Sequence, residues 1–401
     1  MNAHIKFILK TLLVIGIIIM FFIGFFGIRL LVQNFKQPWT NNPYLKYPYL
    51  TWGDNPNSSI SISFETPIII NSTIVYGQTE NMELGILSEI QNKHFHIHNF
   101  TNLKADTLYY YRISSSTYNY SFMNQNRTFK TAANTSKAFR FIAYGDFREG
   151  ITGESTHSPI VNSFMSYNPD FVVSTGDIVH GVLIGEEWDR LFYDLKPLGI
   201  KGVPFMTCIG NHEFYEGDDL LLDRGNTYLK YFGSFPDLIW DYSFDYVNSH
   251  FTCLNITESD RTLNPAELIW LHNDLGNASI NPNIEWKFVY FHAPMYSSGG
   301  HSSSPILINQ IQPILETYNV DLVFVGHDHH YERIEIPDTN IIQIVTGGGG
   351  AELDIFLANN PWTVKKALCH HFCVFDVNGT TLNFQCVRLD GVVIDSFTII
   401  K

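Results

Sequence analysis

Hydrophobic positions follow three different rules along this chain, and each rule predicts a different kind of element. Between Thr11 and Ile28 the residues are apolar and uncharged without a break, bounded by Lys10 and Arg29. A run of about 18 residues sits at the lower limit for a bilayer-crossing helix. No polar stripe interrupts it, as one would on a buried soluble helix. It exceeds the core of a usual signal peptide and no A-x-A-like cleavage site follows. An uncleaved signal anchor within residues 1–42 is expected, with a cleaved signal peptide as the alternative.

From about Pro43 to Ala133 the rule is alternation. Ile60-x-Ile62-x-Phe64 reads as one strand, and Ile68–Ile70 and Thr73–Tyr76 form short runs. Leu103, Thr107 and Tyr109–Arg112 form a further pair, and Arg127–Thr131 closes the set. Short strands at this spacing predict a β-sandwich over 43–133. The small, polar segment Ala132–Lys137 suits a linker. His94, His96 and His98 alternate along one predicted strand and share a side, which is read as a solvated face because no carboxylate or cysteine accompanies them in sequence.

From Ala138 onward short apolar runs alternate with helical segments. The runs are Phe139–Tyr144, Phe171–Thr175, Val203–Ile209, Trp286–Phe291 and Leu322–Val325; the helical segments include Ser158–Ser166, Glu186–Leu195 and Asn264–Leu275. Asn264 followed by Pro265 is a helix-start signal. Strands alternating with helices imply a layered α/β domain over 138–401.

Composition narrows the function classes. Twenty-five basic against 39 acidic residues give a formal net charge of −14, and no Lys/Arg cluster offsets it, so nucleic-acid binding is not expected. The positive-inside rule barely discriminates, with Lys6 and Lys10 on one side of the apolar run and Arg29 and Lys36 on the other. Nine Asn-x-Ser/Thr triplets begin at Asn57, Asn71, Asn99, Asn119, Asn126, Asn134, Asn255, Asn277 and Asn378. They agree with a catalytic portion outside the cytoplasm, membrane-anchored or secreted if the segment is cleaved. The cysteines number 5: Cys208 and Cys253 lie in apolar runs, and Cys369, Cys373 and Cys386 have the material for one disulfide. Cys369-x-x-x-Cys373 has no second cysteine pair nearby, which argues against zinc at that spacing.

The chemistry lies where the apolar runs end. Phe139–Tyr144 leads into Gly145-Asp146, and Phe171–Thr175 into Gly176-Asp177-x-x-His180. Val203–Ile209 leads into Gly210-Asn211-His212-Glu213, Trp286–Phe291 into His292, and Leu322–Val325 into Gly326-His327-x-His329. The carboxyl ends of strands line the crevice of an open α/β sheet, so these groups are expected to converge. One Gly-Asp is a turn; five strand ends carrying Asp, Asp, Asn, His and His-x-His point to a two-metal site. Gly347–Gly350 lacks the Gly-Lys-Ser/Thr of a nucleotide loop and is read as a tight passage beside that site.

That order of motifs resembles the calcineurin-like metallophosphoesterases, and within them the purple acid phosphatases. Tyr242-Ser243-Phe244-Asp245, Trp270-Leu271-x-x-Asp274-Leu275 and Gly326-His327-Asp328-His329-His330-Tyr331-Glu332-Arg333 add to the likeness, and the β-rich region resembles the fibronectin type III-like domain of the plant enzymes. The resemblance implies one metal held by Asp146, Asp177, His180 and His329, and a second by Asp177, Asn211, His292 and His327, with Asp177 bridging. It implies hydrolysis of phosphate monoesters by a hydroxide held between the two ions. The same ligands would serve a phosphodiesterase or nucleotide pyrophosphatase, and a surface binding protein with an inactive catalytic domain is the non-enzymatic alternative. Mixed O/N ligation suits Fe, Zn or Mn. His180 stands where the purple enzymes carry a tyrosine, so the tyrosinate-to-iron colour is not expected and the metal pair stays open. His212 is placed to protonate the leaving oxygen or hold the phosphate, with Glu213 orienting it and His301 binding substrate. A mobile surface histidine is the alternative for His301. Arg148 is either a phosphate contact or a member of a structural salt bridge.

Overall fold

The computed structural model describes residues 45–53, 55–134, 137–148, 156–181, 186–214, 225–233, 240–258 and 262–401. The apolar run 11–28 lies outside them; among the described residues no helix is long and apolar enough to cross a membrane.

Residues 45–134 form two antiparallel sheets. Lys46–Thr51, Ile60–Ile70 and Lys93–Phe100 make the first; Gly85–Ser88, Thr73–Gly77, Leu108–Ser114 and Arg127–Lys130, in that spatial order, make the second. The alternation in Ile60-x-Ile62-x-Phe64 puts these side chains together in the core, where they join Tyr109, Tyr111 and Phe129.

Two larger sheets follow. The six-stranded one runs Phe205–Thr207, Phe171–Ser174, Phe139–Tyr144, His371–Asn378, Thr381–Arg388, Val393–Ile400; its first three strands are parallel and the rest antiparallel. The seven-stranded one runs Tyr242–Tyr246, Ser249–Cys253, Trp286–Tyr290, Leu322–Val325, Ile342–Thr346, Tyr331–Glu335, Thr363–Ala367, with a parallel centre. They pack face to face through phenylalanines: Phe141 meets Phe251 edge-on at 5.1 Å between centroids and lies 5.5 Å from Phe288. The period of two explains why the runs are apolar throughout. Phe139, Phe141 and Ala143 face the opposite sheet, whereas Ile142 and Tyr144 face the helices His157–Met165 and Glu186–Asp194. Helices Pro265–Ile280 and Pro305–Thr317 cover the other sheet through Leu271, Leu275, Leu307 and Ile311. Asn264 caps the first of these with a full capping box, and that helix runs five residues beyond the predicted end.

The small polar segment expected to be a loose linker begins packed: Ala132 and Ala133 are buried. The two regions share one core. Trp52 meets Phe171 and Phe244 at 5.4 and 5.3 Å, and Tyr49 packs on Phe192 at 4.6 Å. Buried Lys46 crosses the same boundary to Asp189 at 2.8 Å, with Glu65 2.9 Å away.

The reading of His94, His96 and His98 as a solvated face is corrected: His96 and His98 are buried. Phe64 stacks on His96 at 4.5 Å, Glu89 Oε2 lies 2.5 Å from His96 Nδ1, and Ser72 Oγ lies 2.7 Å from His98 Nε2. Partners from neighbouring strands, invisible to the local pattern, satisfy the rings. No disulfide forms either; all five cysteines are free and buried.

One polar network gives a pH test. His250 lies between Asp245 Oδ1 (2.6 Å) and Asp274 Oδ2 (3.0 Å), and Ser243 and Thr252 also donate to Asp274. Burial opposes the imidazolium, but the two carboxylates override it and raise His250 to about 9. This folded value lies above the unfolded value of roughly 6.5, so the stabilisation is full below that pH and is lost as pH rises through about 9. His250→Gln is expected to lower Tm by a few degrees at pH 6, about 2–4 °C per kcal/mol. The gap should narrow at pH 10, checked by melting both proteins across that range.

Candidate metal centre

The parallel strands bring five loops to one edge. Asp146, Asp177 and His327 each follow a glycine at a strand end, and each has a left-handed backbone, φ +57°, +52° and +69°. Non-glycine residues occupy that region at a cost, and such strain clusters where side chains must be aimed. The glycines permit the close approach. A Cβ on Gly326 would stand 2.2 Å from Asp146 Oδ2, and one on Gly210 would stand 2.2 Å from Asp177 Oδ1. The passage expected at Gly347–Gly350 is equally tight: a Cβ on Gly347 would fall 3.0 Å from Asp146 Oδ2.

The ligand candidates separate into two overlapping groups. Asp146, Asp177 and His329 present atoms all within 4.8 Å of one another. In the second group His292 Nε2 lies 2.9 Å from Asn211 Oδ1, 3.1 Å from His327 Nδ1 and 3.3 Å from Asp177 Oδ1. Asp177 belongs to both, the position of a bridging carboxylate. The structure does not bring His180 into the first group, where it was expected: its ring lies 5.2 Å from that of His212, and its carbonyl accepts from His212 Nδ1 at 2.7 Å.

Hydrogen bonding shows that this cluster is built for cations. The Thr175 carbonyl can only accept, so His292 donates to it through Nδ1 at 2.8 Å and turns the Nε2 lone pair toward Asn211 and His327. His329 donates through Nδ1 to the Glu352 carbonyl at 2.6 Å, which frees its Nε2 in the same way. Asp146 Oδ2 is buried without a hydrogen-bond partner. Facing lone pairs at such distances repel unless a positive charge lies among them. Burial would depress His292, but the Asp177 and Asp146 carboxylates raise it to about 10. Burial and the charge on His292 push the adjacent His327 down to about 2.

Residues 143–331 match the family model for calcineurin-like phosphoesterases. The chain carries a calcineurin-like metallophosphoesterase domain. Its relatives are purple acid phosphatase-like. It is 25% identical to a probable inactive purple acid phosphatase 27 of Arabidopsis thaliana over 76% of this chain and 58% of that protein. It is 26% identical to purple acid phosphatase 15 of the same plant, over 69% of this chain and 57% of that protein. The chain thus spans less than two thirds of either relative. A purple acid phosphatase structure from yellow lupin (Lupinus luteus) seeds shares the fold with a TM-score of 0.76, at 20% identity over 90% of this chain and 75% of that one.

Three further positions in the phosphoesterase domain separate expectation from geometry. Glu213 does not touch His212. Its carboxylate accepts backbone N–H groups of Asp177 (3.0 Å), Val179 (3.0 Å) and Gly210 (2.8 Å). Successive residues on the short helix Asn211–Phe214 point about 100° apart, so neighbours cannot face each other. The role expected for Glu213 passes to the His180 carbonyl, and Glu213 instead fixes two ligand loops. Arg148 lies with Nε 3.7 Å from Asp177 Oδ2 and without a hydrogen-bond partner for that nitrogen, an ion-pair distance that leaves its donor unspent. His301 is exposed, but its ring centroid is only 3.7 Å from that of His327, and Asp328 Oδ1 accepts its backbone N–H at 3.0 Å, so it is held at the rim.

Sequence reading missed Asp354 and Glu352, which hold His329 through its N–H and ring, because neither sits at a strand end. It also missed the role of Glu332, which accepts from Ser298 N at 2.8 Å and Oγ at 2.6 Å and so anchors the loop carrying His301. Glu213→Gln is expected to weaken metal binding roughly 10–100-fold, the cost of removing an outer partner of a metal ligand. An amide replaces one acceptor by a donor, which then faces a backbone N–H; metal titration of the variant checks this.

Proposed function

We propose that the domain is a dimetal phosphohydrolase that cleaves phosphate monoesters. The observation that carries this reading is that six of the seven expected ligands fall in two groups sharing Asp177, with His212 beside them. That arrangement favours activity over the inactive state in some relatives' names. Two transition-metal ions (Fe, Zn or Mn) in this cradle would supply an activated water and neutralise charge on the phosphate.

The chain's own groups account for the remainder. His212 is tethered at both ends of its reach: its backbone N–H donates to Asp177 Oδ1 at 3.1 Å, and its Nδ1 donates to the His180 carbonyl. Nε2 is left at the open side, 3.7 Å from Asp177 Oδ2; with Nδ1 keeping its own hydrogen, the imidazolium form is the one that delivers a proton from Nε2 to the leaving oxygen. Arg148 offers its guanidinium to the non-bridging phosphate oxygens, and His301 contacts the substrate from the rim. The β-rich region reads as a fibronectin type III-like support whose three- and four-stranded sheets pack on the catalytic domain. We infer that the domain works outside the cytoplasm, tethered through residues 11–28. The sequon asparagines Asn99, Asn119, Asn126, Asn134, Asn277 and Asn378 are exposed, which supports that reading, whereas Asn255 is buried.

Turnover of 4-nitrophenyl phosphate against bis(4-nitrophenyl) phosphate tests the substrate class. Faster monoester cleavage is expected. Faster diester cleavage would assign the centre to a phosphodiesterase or nucleotide pyrophosphatase, and cleavage of neither by metal-loaded protein would favour a binding role.

A further inference from the structure

A second group of metal-ligating side chains lies apart from the phosphoesterase centre. His371 and Cys373 are two residues apart on the strand His371–Asn378 and so share a face, and Cys386 on the strand Thr381–Arg388 is the direct cross-strand partner of Cys373. His371 Nδ1 or Nε2 and the two Sγ atoms present donors all within 4.8 Å of one another, and all three residues are fully buried. From the opposite sheet, Thr346 brings Oγ1 to 3.2 Å from His371 Nε2 and 3.5 Å from Cys373 Sγ. Linear spacing gave no hint of this group, because its third donor comes from the adjacent strand and its fourth from another sheet.

The imidazole is set up as a ligand. The Cys369 carbonyl lies 3.0 Å from His371 Nδ1 and can only accept, so Nδ1 carries the hydrogen and the Nε2 lone pair points into the group. This is the arrangement that metal-binding histidines adopt. We propose that His371, Cys373 and Cys386, completed by the Thr346 hydroxyl, bind a single thiophilic cation, Zn2+ or Cu+. Zinc bonds of about 2.3 Å to sulfur and about 2.0 Å to nitrogen place tetrahedral donors roughly 3.5–3.8 Å apart, so donors now within 4.8 Å of one another need to draw in by about 1.3 Å at most. Binding of Zn2+ releases the two thiol protons, and the two thiolates then balance the ion's charge. A neutral unit of this kind suits a fully buried site, where an uncompensated charge is costly. Soft sulfur ligands select zinc or cuprous copper over the harder ions favoured by the oxygen- and nitrogen-lined phosphoesterase centre.

The position gives the ion a structural role. Thr346 accepts at its carbonyl from Gly145 N–H at 3.0 Å, immediately before Asp146. An ion held there would tie both sheets together behind the loop that carries that carboxylate.

Cobalt tests the proposal without reference to activity. The full chain, purified under reducing conditions, stripped of metal and loaded with Co2+, should show a sulfur-to-cobalt charge-transfer absorption. None of the seven expected phosphoesterase ligands is a cysteine, and Cys208→Ser, which breaks the other buried cysteine pair, should leave the band unchanged. Cys386→Ser should cut it by at least half, His371→Gln should shift and weaken it, and Asp177→Ala should leave it unchanged. Displacement with Zn2+ and with Cu+ identifies the preferred ion as the one that bleaches the band at the lower concentration. A wild-type chain that takes up Co2+ yet shows no such band would overturn the proposal. So would a Cys373–Cys386 peptide two hydrogens lighter in protein isolated without reductant, which would assign the pair to a disulfide. The wild-type spectrum decides the matter even if a variant fails to fold.

Discussion

Asp177→Ala is expected to lower phosphomonoester turnover by about a thousandfold or more, the largest effect of any single substitution in this chain. Asp177 is the one carboxylate common to both ligand groups, within 4.8 Å of Asp146 and His329 donors and 3.3 Å from His292 Nε2. Its removal releases both groups at once, where loss of a terminal ligand loosens one. Charge stabilisation of a phosphoryl group by bound metal is worth several kcal/mol, and each 1.36 kcal/mol is a factor of ten. Fold stability of the metal-free chain should fall modestly as well. The Asp177 carboxyl is buried beside Asp146, and in the metal-free chain it is held well below its usual range despite burial, mainly through the charge on His292. Alanine takes that partner away and leaves the charge on His292 buried with less to balance it. Elemental analysis and steady-state kinetics on the variant, with a melting curve beside them, check all three parts; loss of fold together with loss of activity would mean that the site and the core are not separable in this way.

His212→Ala is the second large effect, roughly 10²–10⁴-fold in kcat, the usual range for a positioned general acid. Its size should depend on the leaving group. A nitrophenolate departs without help, so 4-nitrophenyl phosphate should sit at the low end, and an alkyl phosphate at the high end. Metal content should not change, because His212 touches the ligands only through its backbone N–H and an Nε2 that stays 3.7 Å from Asp177. An equal loss on both substrates would place His212 in phosphate binding and not in proton transfer.

The parts of this molecule that were legible in the sequence are those where one residue's chemistry and its local pattern coincide. Leu322–Val325 reads as a strand because it is apolar on both faces, and it ends in Gly326-His327 because the chain must turn there to aim a ligand. Asn264-Pro265 announces a helix because the capping carboxamide and the proline both act locally. What stayed hidden depends on partners far along the chain. His371–Asn378 pairs with Phe139–Tyr144, more than 200 residues away, and no periodicity reports such a pairing. Alternation showed that His96 and His98 share a face but not that Ser72, Glu89 and Phe64 cover it. Adjacency in sequence suggested that Glu213 orients His212, whereas the turn of the helix sends it to three backbone N–H groups.

The most direct test of the central claim is to add Mn2+ back to metal-free chain while counting bound ions and 4-nitrophenyl phosphate turnover in the same sample. The geometry of two ligand groups sharing Asp177 predicts little turnover with one bound ion and full turnover when the second binds. A folded chain that binds two Mn2+ ions and hydrolyses no phosphoester, or one that binds none, would contradict it.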